Sequence, residues 1–187
     1  MAARPGPVPV RRARMLAVML GVAVAVVTAD AISKALALRH LAGDRSVRLL
    51  DGLLTLRLTL NPGAAFGLGT SYTVIIALIA CGVVVYVIRI STRLRSLAWT
   101  IGLGLLLGGA AGNLADRLFR APGPFRGSVV DWLNLPHFAW TFNLADAAIT
   151  CAAVLIGILT LVGVRIGGTS PADAARDARG EQAAGTP

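Results

Sequence analysis

Two identical tetrads and one isolated aspartate place carboxylates at the borders of long apolar stretches. The tetrads read Asn-Leu-Ala-Asp at 113–116 and 143–146, and Asp131 lies between them in Ser-Val-Val-Asp-Trp. A carboxylate close to lipid loses its hydration, so such groups usually face a polar interior and act there. Two carboxyl groups held together outside bulk water suit general acid and base chemistry on one water molecule.

Asp131 and Asp146 are the candidates for this chemistry. Asp146 lies at the start of a predicted helix, for which Asn143 is a suitable N-cap, and a helix N-terminus stabilises an anion. Asp131 lies in an extended or loop segment among apolar residues, where burial favours the protonated carboxyl. One ionised and one protonated carboxyl is the arrangement found in aspartic proteases. The alternative for Asp146 is a structural role at the helix start.

Further charged residues near the same borders predict a supporting network. Asp30 and Lys34 have the i, i+4 spacing of a same-face helical pair, and we expect a buried structural ion pair, with substrate contact as the alternative. Asp116 and Arg117 end the third apolar stretch. They are expected to pair with each other or with nearby groups, with a direct chemical role as the alternative. The asparagines that open the tetrads either hydrogen-bond the acids or the substrate, or cap helix ends.

Composition and hydropathy predict a membrane protein. The 187 residues are 56% hydrophobic with a mean hydropathy of +0.73, more apolar than a soluble domain requires. Four stretches approach the roughly 20 residues that cross a bilayer: 15–38, 71–88, 96–115 and 147–164. We therefore predict an all-α membrane protein with four transmembrane helices and a small extracytoplasmic β element. Its domain would span 15–166, between disordered cytoplasmic segments at 1–14 and 167–187.

The arginines predict the orientation of the chain. The net charge is +9, and the basic residues lie mainly at the ends of apolar stretches, not with aromatics on a soluble face, so nucleic-acid binding is not expected. The basic cluster before the first helix places both termini in the cytoplasm, and all the acids then lie near the outer interface. The start also resembles a secretory signal peptide, but Asp30 and Lys34 interrupt it, which favours a retained helix. Residues 55–60 alternate, which predicts a short hairpin or sheet on the membrane surface.

The cysteines and histidines predict no metal site or cofactor. Cys81 and Cys151 fall inside predicted helices without metal-ligand spacing, so we expect buried thiols. His40 and His137 lie in predicted loops without further ligands at suitable spacing.

Five short segments follow one another in an order that is typical of one known family. They are Asp-Ala-Ile-Ser-Lys at 30–34, Asn-Pro-Gly-Ala-Ala-Phe at 61–66, Gly-Gly-Ala-Ala-Gly-Asn-Leu-Ala-Asp-Arg at 108–117, Val-Val-Asp-Trp at 129–132, and Phe-Asn-Leu-Ala-Asp-Ala-Ala-Ile at 142–149. Together they resemble the motifs of bacterial lipoprotein signal peptidase (signal peptidase II), over about residues 15–165. Trp132 departs from the family's Phe. The connection from Asp116 to Asp131 looks longer than usual and carries Pro122 and Pro124.

The resemblance implies a membrane aspartic endopeptidase that removes signal peptides from prolipoproteins, cleaving before a cysteine that already carries diacylglycerol. It implies Asp131 and Asp146 as the catalytic pair, no metal, and inhibition by globomycin-type antibiotics. The enzyme would lie in the bacterial cytoplasmic membrane, in contact with its lipid, with its site near the outer leaflet. Asn61, Asn113, Arg117 and Asn143 match family positions near the substrate, and Gly63, Asp116, Asp30 and Lys34 are expected to support the site.

Two other functions stay open on the residues alone. A proton-coupled transporter is the main alternative, because intramembrane acids also mark proton paths. A transporter would more often show inverted repeats and broken helices, whereas here only the tetrads repeat. A non-catalytic assembly subunit would leave the clustered acids unexplained.

Overall fold

Four long helices form most of the computed structural model, which describes residues 8–43, 45–63, 72–136, 138 and 140–167. The helices are α1 (Val8–His40), α2 (Thr73–Ile90), α3 (Leu97–Phe119) and α4 (Leu144–Leu161). Each is long and apolar enough to cross a membrane, which confirms the four predicted spans. Residues 168–187 of the predicted disordered tail and residues 1–7 of the predicted disordered N-terminus lie outside the described residues.

The helix ends differ from the sequence-based bounds, and two of the differences have a local cause. Helix α1 begins at Val8, so residues 8–14 are helical and not disordered as expected; Pro9 fits there because the first turn needs no amide donor. Helix α4 ends at Leu161, three residues early. Gly163 adopts a φ of 72° just after it, and the N–H of Val164 donates to the carbonyl of Leu159, which closes the helix.

Helix α3 lies at the centre of the bundle because its glycines admit close neighbours on two sides. A Cβ atom at Gly108 would lie 2.7 Å from Cβ of Val26 on α1. At Gly109 it would lie 2.7 Å from Cγ1 of Ile149 on α4. The glycine-rich stretch of α3 is therefore a packing surface for both neighbours. Larger residues would push apart the helices that carry the polar groups.

An antiparallel sheet covers one end of the bundle. Its strands, in spatial order, are β1 (Ser46–Leu49), β2 (Leu54–Asn61), β3 (Val129–Asn134) and β4 (Thr141–Phe142). The predicted hairpin corresponds to β1 and β2. Strand β3 pairs with β2 so that Thr59 lies opposite Asp131, and this pairing was not predicted. The two loop regions therefore build one sheet, larger than the element expected from sequence.

The connection between α3 and β3 folds back tightly onto the end of α3. The N–H of Gly127 donates to the carbonyl of Arg117 at 3.0 Å, and Ser128 N–H donates to the carbonyl of Ala121 at 3.2 Å. A Cβ atom at Gly127 would meet the carbonyl oxygen of Asp116 at 2.3 Å, so only glycine fits. This close return brings β3, and Asp131 with it, beside the end of α3.

The two cysteines lie in helices as expected, Cys81 in α2 and Cys151 in α4. Cys81 is half-buried, but Cys151 is exposed on the helix surface, so the prediction of a buried thiol is wrong there. The lipid-facing and protein-facing sides of an apolar membrane helix have similar residues, because both exclude charge, so the sequence does not show which side a cysteine is on.

Candidate active site

Asp131 and Asp146 line one cavity of about 410 Å³ between the sheet and the start of α4. The chain direction explains why they meet. Helices α1 and α3 run toward the sheet and carry their polar residues near their last turns, whereas α4 runs away from the sheet and carries Asp146 in its first turn. The sequence predicted this convergence at one end of the bundle, and the structure has it.

Asp131 is buried on β3, with 2% of its surface exposed. Its Oδ1 accepts a hydrogen bond from Nδ2 of Asn143 at 2.6 Å, and its Oδ2 accepts one from Nδ2 of Asn61 at 2.9 Å. Burial raises the pKa of Asp131 from 3.8 to about 6, and this effect outweighs the two amides, which lower the pKa. The nearby charge of Asp146 raises it further.

Asp146 closes a capping box with Asn143 at the start of α4. Oδ1 of Asn143 accepts from the N–H of Asp146 at 3.0 Å, and Oδ2 of Asp146 accepts from the N–H of Asn143 at 3.2 Å. The predicted N-cap is therefore confirmed. The other oxygen of Asp146 accepts from Nδ2 of Asn113 at 2.7 Å. Asp146 can cap the helix and also line the cavity, because only its Oδ2 accepts the capping hydrogen bond and the carboxylate is half-buried.

Two asparagines connect the aspartates in a chain of defined polarity. Nδ2 of Asn143 donates both to Asp131 and, at 3.1 Å, to Oδ1 of Asn113. Nζ of Lys34 also donates to Oδ1 of Asn113, at 3.1 Å. Because an ammonium group can only donate, it holds the Asn113 amide with Nδ2 toward Asp146. Lys34 therefore orients the Asn113 amide, which in turn donates to Asp146.

Lys34 lies at the centre of a buried ion-pair cluster. Its Nζ is 2.6 Å from Oδ2 of Asp30 and 2.8 Å from Oδ2 of Asp116, and the lysine is 1% exposed. The predicted pair of Asp30 and Lys34 is confirmed. Oδ1 of Asp30 also accepts from the N–H of Ala145 at 3.0 Å, which connects α1 to the first turn of α4. The cluster thus couples three helices.

Asp116 and Arg117 are buried side by side but have different partners. Asp116 pairs with Lys34 and with Arg120, and it accepts from the N–H of Val130 at 3.3 Å. The expected structural ion pair of Asp116 is therefore formed with these neighbours. The charge of Arg117 is close enough to interact with Asp131 and Asp146. Among the described residues, its buried Nη1 has no hydrogen-bond partner.

Gly63 and Asn61 form a small turn that orients the Asn61 amide. The N–H of Gly63 donates to Oδ1 of Asn61 at 2.9 Å, which leaves Nδ2 directed at Asp131. Gly63 has a φ of 104°, a conformation that side chains rarely adopt. Residues 64–66 of the same motif lie outside the described residues.

Several residues at the site were not predicted. Arg120 pairs with Asp116, and its i, i+4 spacing was a usable signal. Arg57 and Thr59 line the cavity, where each contacts the hydroxyl of Thr141, Thr59 at 3.2 Å and Arg57 at 3.4 Å. Arg57, Thr59 and Asn61 all line the cavity, and the register of β2 against β3 shifts between Leu56 and Thr59, which the regular pattern at 55–60 did not show.

Trp132 belongs to the other face of the sheet. It lines a separate apolar cavity of about 310 Å³ against α1, because neighbouring strand residues point in opposite directions. Its buried Nε1 has no hydrogen-bond partner among the described residues. The substitution of Trp for the family's Phe therefore adds a donor to an apolar position and leaves the face that carries Asp131 unchanged.

In the described part of the chain, no three Asp, Glu, His or Cys side chains are grouped so that they could hold a metal ion. The fold and the site together define a multi-pass membrane protein with two carboxylates at one cavity.

Comparison with known proteins identifies the family. Residues 22–162 match the family model of signal peptidase (SPase) II, and the chain belongs to this family. A lipoprotein signal peptidase of Rhodococcus jostii (strain RHA1) is 46% identical over 167 residues, which cover 89% of this chain and 82% of that protein. One of Streptomyces griseus is 47% identical over 159 residues, covering 85% and 81%. The predicted family and the prediction of a peptidase are confirmed, and the transporter is not favoured.

A solved structure shows the same fold. This bacterial membrane enzyme superposes with a TM-score of 0.68 at 24% identity, over 76% of this chain and 92% of the other. The likeness supports the arrangement of four membrane helices with a small sheet.

Proposed function

We propose that Asp131 and Asp146 are the catalytic pair of an aspartic endopeptidase that removes signal peptides from diacylglyceryl-modified prolipoproteins, cleaving before the lipidated cysteine. One observation carries the proposal: two carboxylates in different environments line the same cavity. Asp131 is buried with a raised pKa, whereas Asp146 is half-buried in a helix cap. Pairs of acids in such contrasting surroundings divide the acid and base roles.

The proposed reaction uses one water molecule and no cofactor. Ionised Asp146 takes a proton from the water while the water oxygen attacks the scissile carbonyl carbon. At the same time, protonated Asp131 gives its proton to the carbonyl oxygen. The tetrahedral intermediate then collapses. Its C–N bond breaks, the leaving amine receives the proton from Asp146, and the hydroxyl proton returns to Asp131. Both carboxyl groups end in their starting states.

The surrounding amides keep the two acids in place for this exchange. Asn61 and Asn143 hold the two oxygens of Asp131, and Asn113 holds Asp146. Arg117 adds positive charge beside both acids and has a donor without a partner among the described residues. We assign that donor to a backbone carbonyl of the bound peptide. Positioning of this kind is worth several kcal/mol of the barrier.

The exposed apolar surface of the sheet supports a place at the membrane interface. Leu49 at the end of β1 and Leu50 and Leu53 in the turn that follows are exposed, and Phe138 and Trp140 are half exposed beside the cavity. Such residues suit the boundary between headgroups and acyl chains. The substrate's lipid would stay in the bilayer while the peptide enters the cavity. With both termini in the cytoplasm, the site lies at the outer leaflet of the bacterial cytoplasmic membrane.

The same cavity would bind globomycin-type inhibitors, as the family resemblance implies. An inhibitor that fills it should compete with the lipidated precursor, because both need the space beside Asp131 and Asp146.

The experiment is cleavage of a synthetic precursor peptide by purified protein in one detergent, with and without diacylglycerol on its cysteine. The wild type should cut the lipidated peptide and leave the unmodified one nearly intact. Asp131→Asn and Asp146→Asn should each lose more than about 100-fold in rate, because members of a catalytic unit are not additive. Asp51→Asn, an exposed carboxylate in the β1–β2 turn, is the matched control and should keep full rate.

Each failure has a distinct meaning. A wild type that cuts neither peptide refutes the proposed substrate. Near-normal turnover by Asp131→Asn or Asp146→Asn removes that residue from the catalytic pair. Equal cleavage rates for both peptides would show that the enzyme does not recognise the lipid, and would indicate a general peptidase of the membrane interface.

A further inference from the structure

The end of the bundle opposite the sheet carries several arginines. Four helix ends meet there, because α1 and α3 begin and α2 and α4 end on that side. The described arginines at this end are Arg12, Arg14, Arg89, Arg93, Arg95 and Arg165. The aspartates among the described residues lie instead on the sheet, in its turn, or in the helical segments beside it. This end therefore presents concentrated positive charge.

Arg89 and Arg93 share a cavity at this end. It measures about 780 Å³ and is lined by the last turn of α2 and the turn that follows. Both arginines are exposed, and no described carboxylate forms an ion pair with either. Arg89 lies in the last turn of α2 and Arg93 in the 3-10 turn that follows, and both line the same cavity. Two guanidinium groups at one cavity are suited to a phosphate, which they can bind through several donors.

Apart from Thr92, the remaining walls of the cavity are apolar or aromatic. Val85 and Ile88 are 64% and 54% exposed, and Tyr86 is 62% exposed. They belong to a helix apolar enough to cross a membrane, so these surfaces face acyl chains. A soluble phosphate would use only the arginines, whereas an anionic phospholipid would use both parts of the cavity.

We propose that Arg89 and Arg93 form a binding site for the phosphate headgroup of one anionic phospholipid, whose acyl chain packs along Val85 and Ile88. The charge of the cavity, its apolar wall and its place at a membrane-helix end all match this amphiphile. The site lies at the opposite end of the bundle from the catalytic cavity, and the inference is independent of the proposed reaction.

The experiment measures lipid binding to the full chain by native mass spectrometry and by thermal stabilisation in a neutral detergent. The probes are phosphatidylglycerol, phosphatidylcholine with the same acyl chains, and glycerol phosphate. Phosphatidylglycerol should bind the wild type with defined stoichiometry. Arg89→Gln/Arg93→Gln should weaken binding about 30-fold, which is about 2 kcal/mol, or about 1 kcal/mol for each cation near an anionic surface. Arg12→Gln/Arg14→Gln, with the same change of charge at the same end, should change binding less than about threefold.

Four results would overturn the proposal. If both double variants lose the same affinity for phosphatidylglycerol, the lipid responds to the general positive charge of this end and there is no specific site. Equal binding of phosphatidylcholine would exclude headgroup recognition, and full competition by glycerol phosphate would assign the site to a soluble anion. Stronger lipid binding after neutralising Asp173, Asp177 and Glu181 would make the chain's own acidic C-terminal segment the occupant.

Discussion

Replacing Asn143 by serine would separate two functions of one buried side chain. Its Oδ1 caps α4, and its Nδ2 donates to Asp131 at 2.6 Å. Serine is as good an N-cap as asparagine, because its hydroxyl can accept from the same helix N–H. It is too short to replace the amide that reaches the carboxylate. Asn143→Ser should therefore keep the cap and remove one stabilising contact of ionised Asp131.

The magnitude follows from the hydrogen bond that is lost. A hydrogen bond to a charged group contributes about 1.5–3 kcal/mol, and 1.36 kcal/mol corresponds to one pKa unit. The pKa of Asp131, about 6 in the intact site, should rise by about one to two units. Water entering the vacated space would reduce this shift, so two units is the upper bound. Because the proposed mechanism needs a protonated Asp131, the basic limb of the activity profile should move to higher pH.

The assay is kcat/KM for the lipidated precursor between about pH 5 and pH 9 in one detergent, which reports the ionisation of the free enzyme. The limbs belong to the pair as a whole, so their displacement is compared and not their absolute position. Asn143→Ala is the matched control. It should show the same displacement and, because the cap is also lost, unfold with about 1 kcal/mol less free energy than Asn143→Ser.

Two outcomes would refute this reasoning. A basic limb that stays in place in both variants would mean that Asn143 acts only as a helix cap. A wild-type profile that loses activity below about pH 6, and none above it, would reverse the assigned roles, with Asp131 as the base.

Three further predictions test the buried groups. The free energy of unfolding in detergent should fall by up to about 3 kcal/mol as the pH rises from about 4 through 6, because the pKa of Asp131 is 3.8 in the unfolded chain and about 6 in the folded protein. Asp131→Asn should not show this loss. If the wild type and Asp131→Asn have the same pH dependence, the assigned pKa shift is wrong. Lys34→Met should cost about 3–5 kcal/mol of unfolding free energy, since buried carboxylates lose their shared cation. Adding Asp30→Asn should recover part of that cost, and simple additivity in a denaturation series would count against the cluster. The double variant Cys81→Ser/Cys151→Ser should cleave the precursor at a normal rate, and inactivation of only the wild type by a thiol reagent would show thiol involvement.

The four membrane helices were predictable from sequence because the bilayer imposes a local rule. About 20 apolar residues in a row suffice to identify each span, whatever the rest of the chain does. The pair of Asp30 and Lys34 and the Asn143 cap were predictable for the same reason, since each depends on residues three or four apart. Family motifs then pointed to Asp131 and Asp146 as the site.

The sheet and the hydrogen-bond chain depended on contacts that sequence patterns do not carry. Thr59 pairs with Asp131, and Lys34 reaches Asn113 across 79 positions, after two helices have packed through glycines. Strand β3 looked like part of a loop, because a strand is defined by its partner and that partner lies far away in the chain. Helix packing also decided that Cys151 faces outward, since hydropathy does not distinguish lipid from protein interior. Local spacing and family motifs thus indicated the candidate aspartates and part of their supporting residues, and tertiary packing determined which oxygen faces which donor.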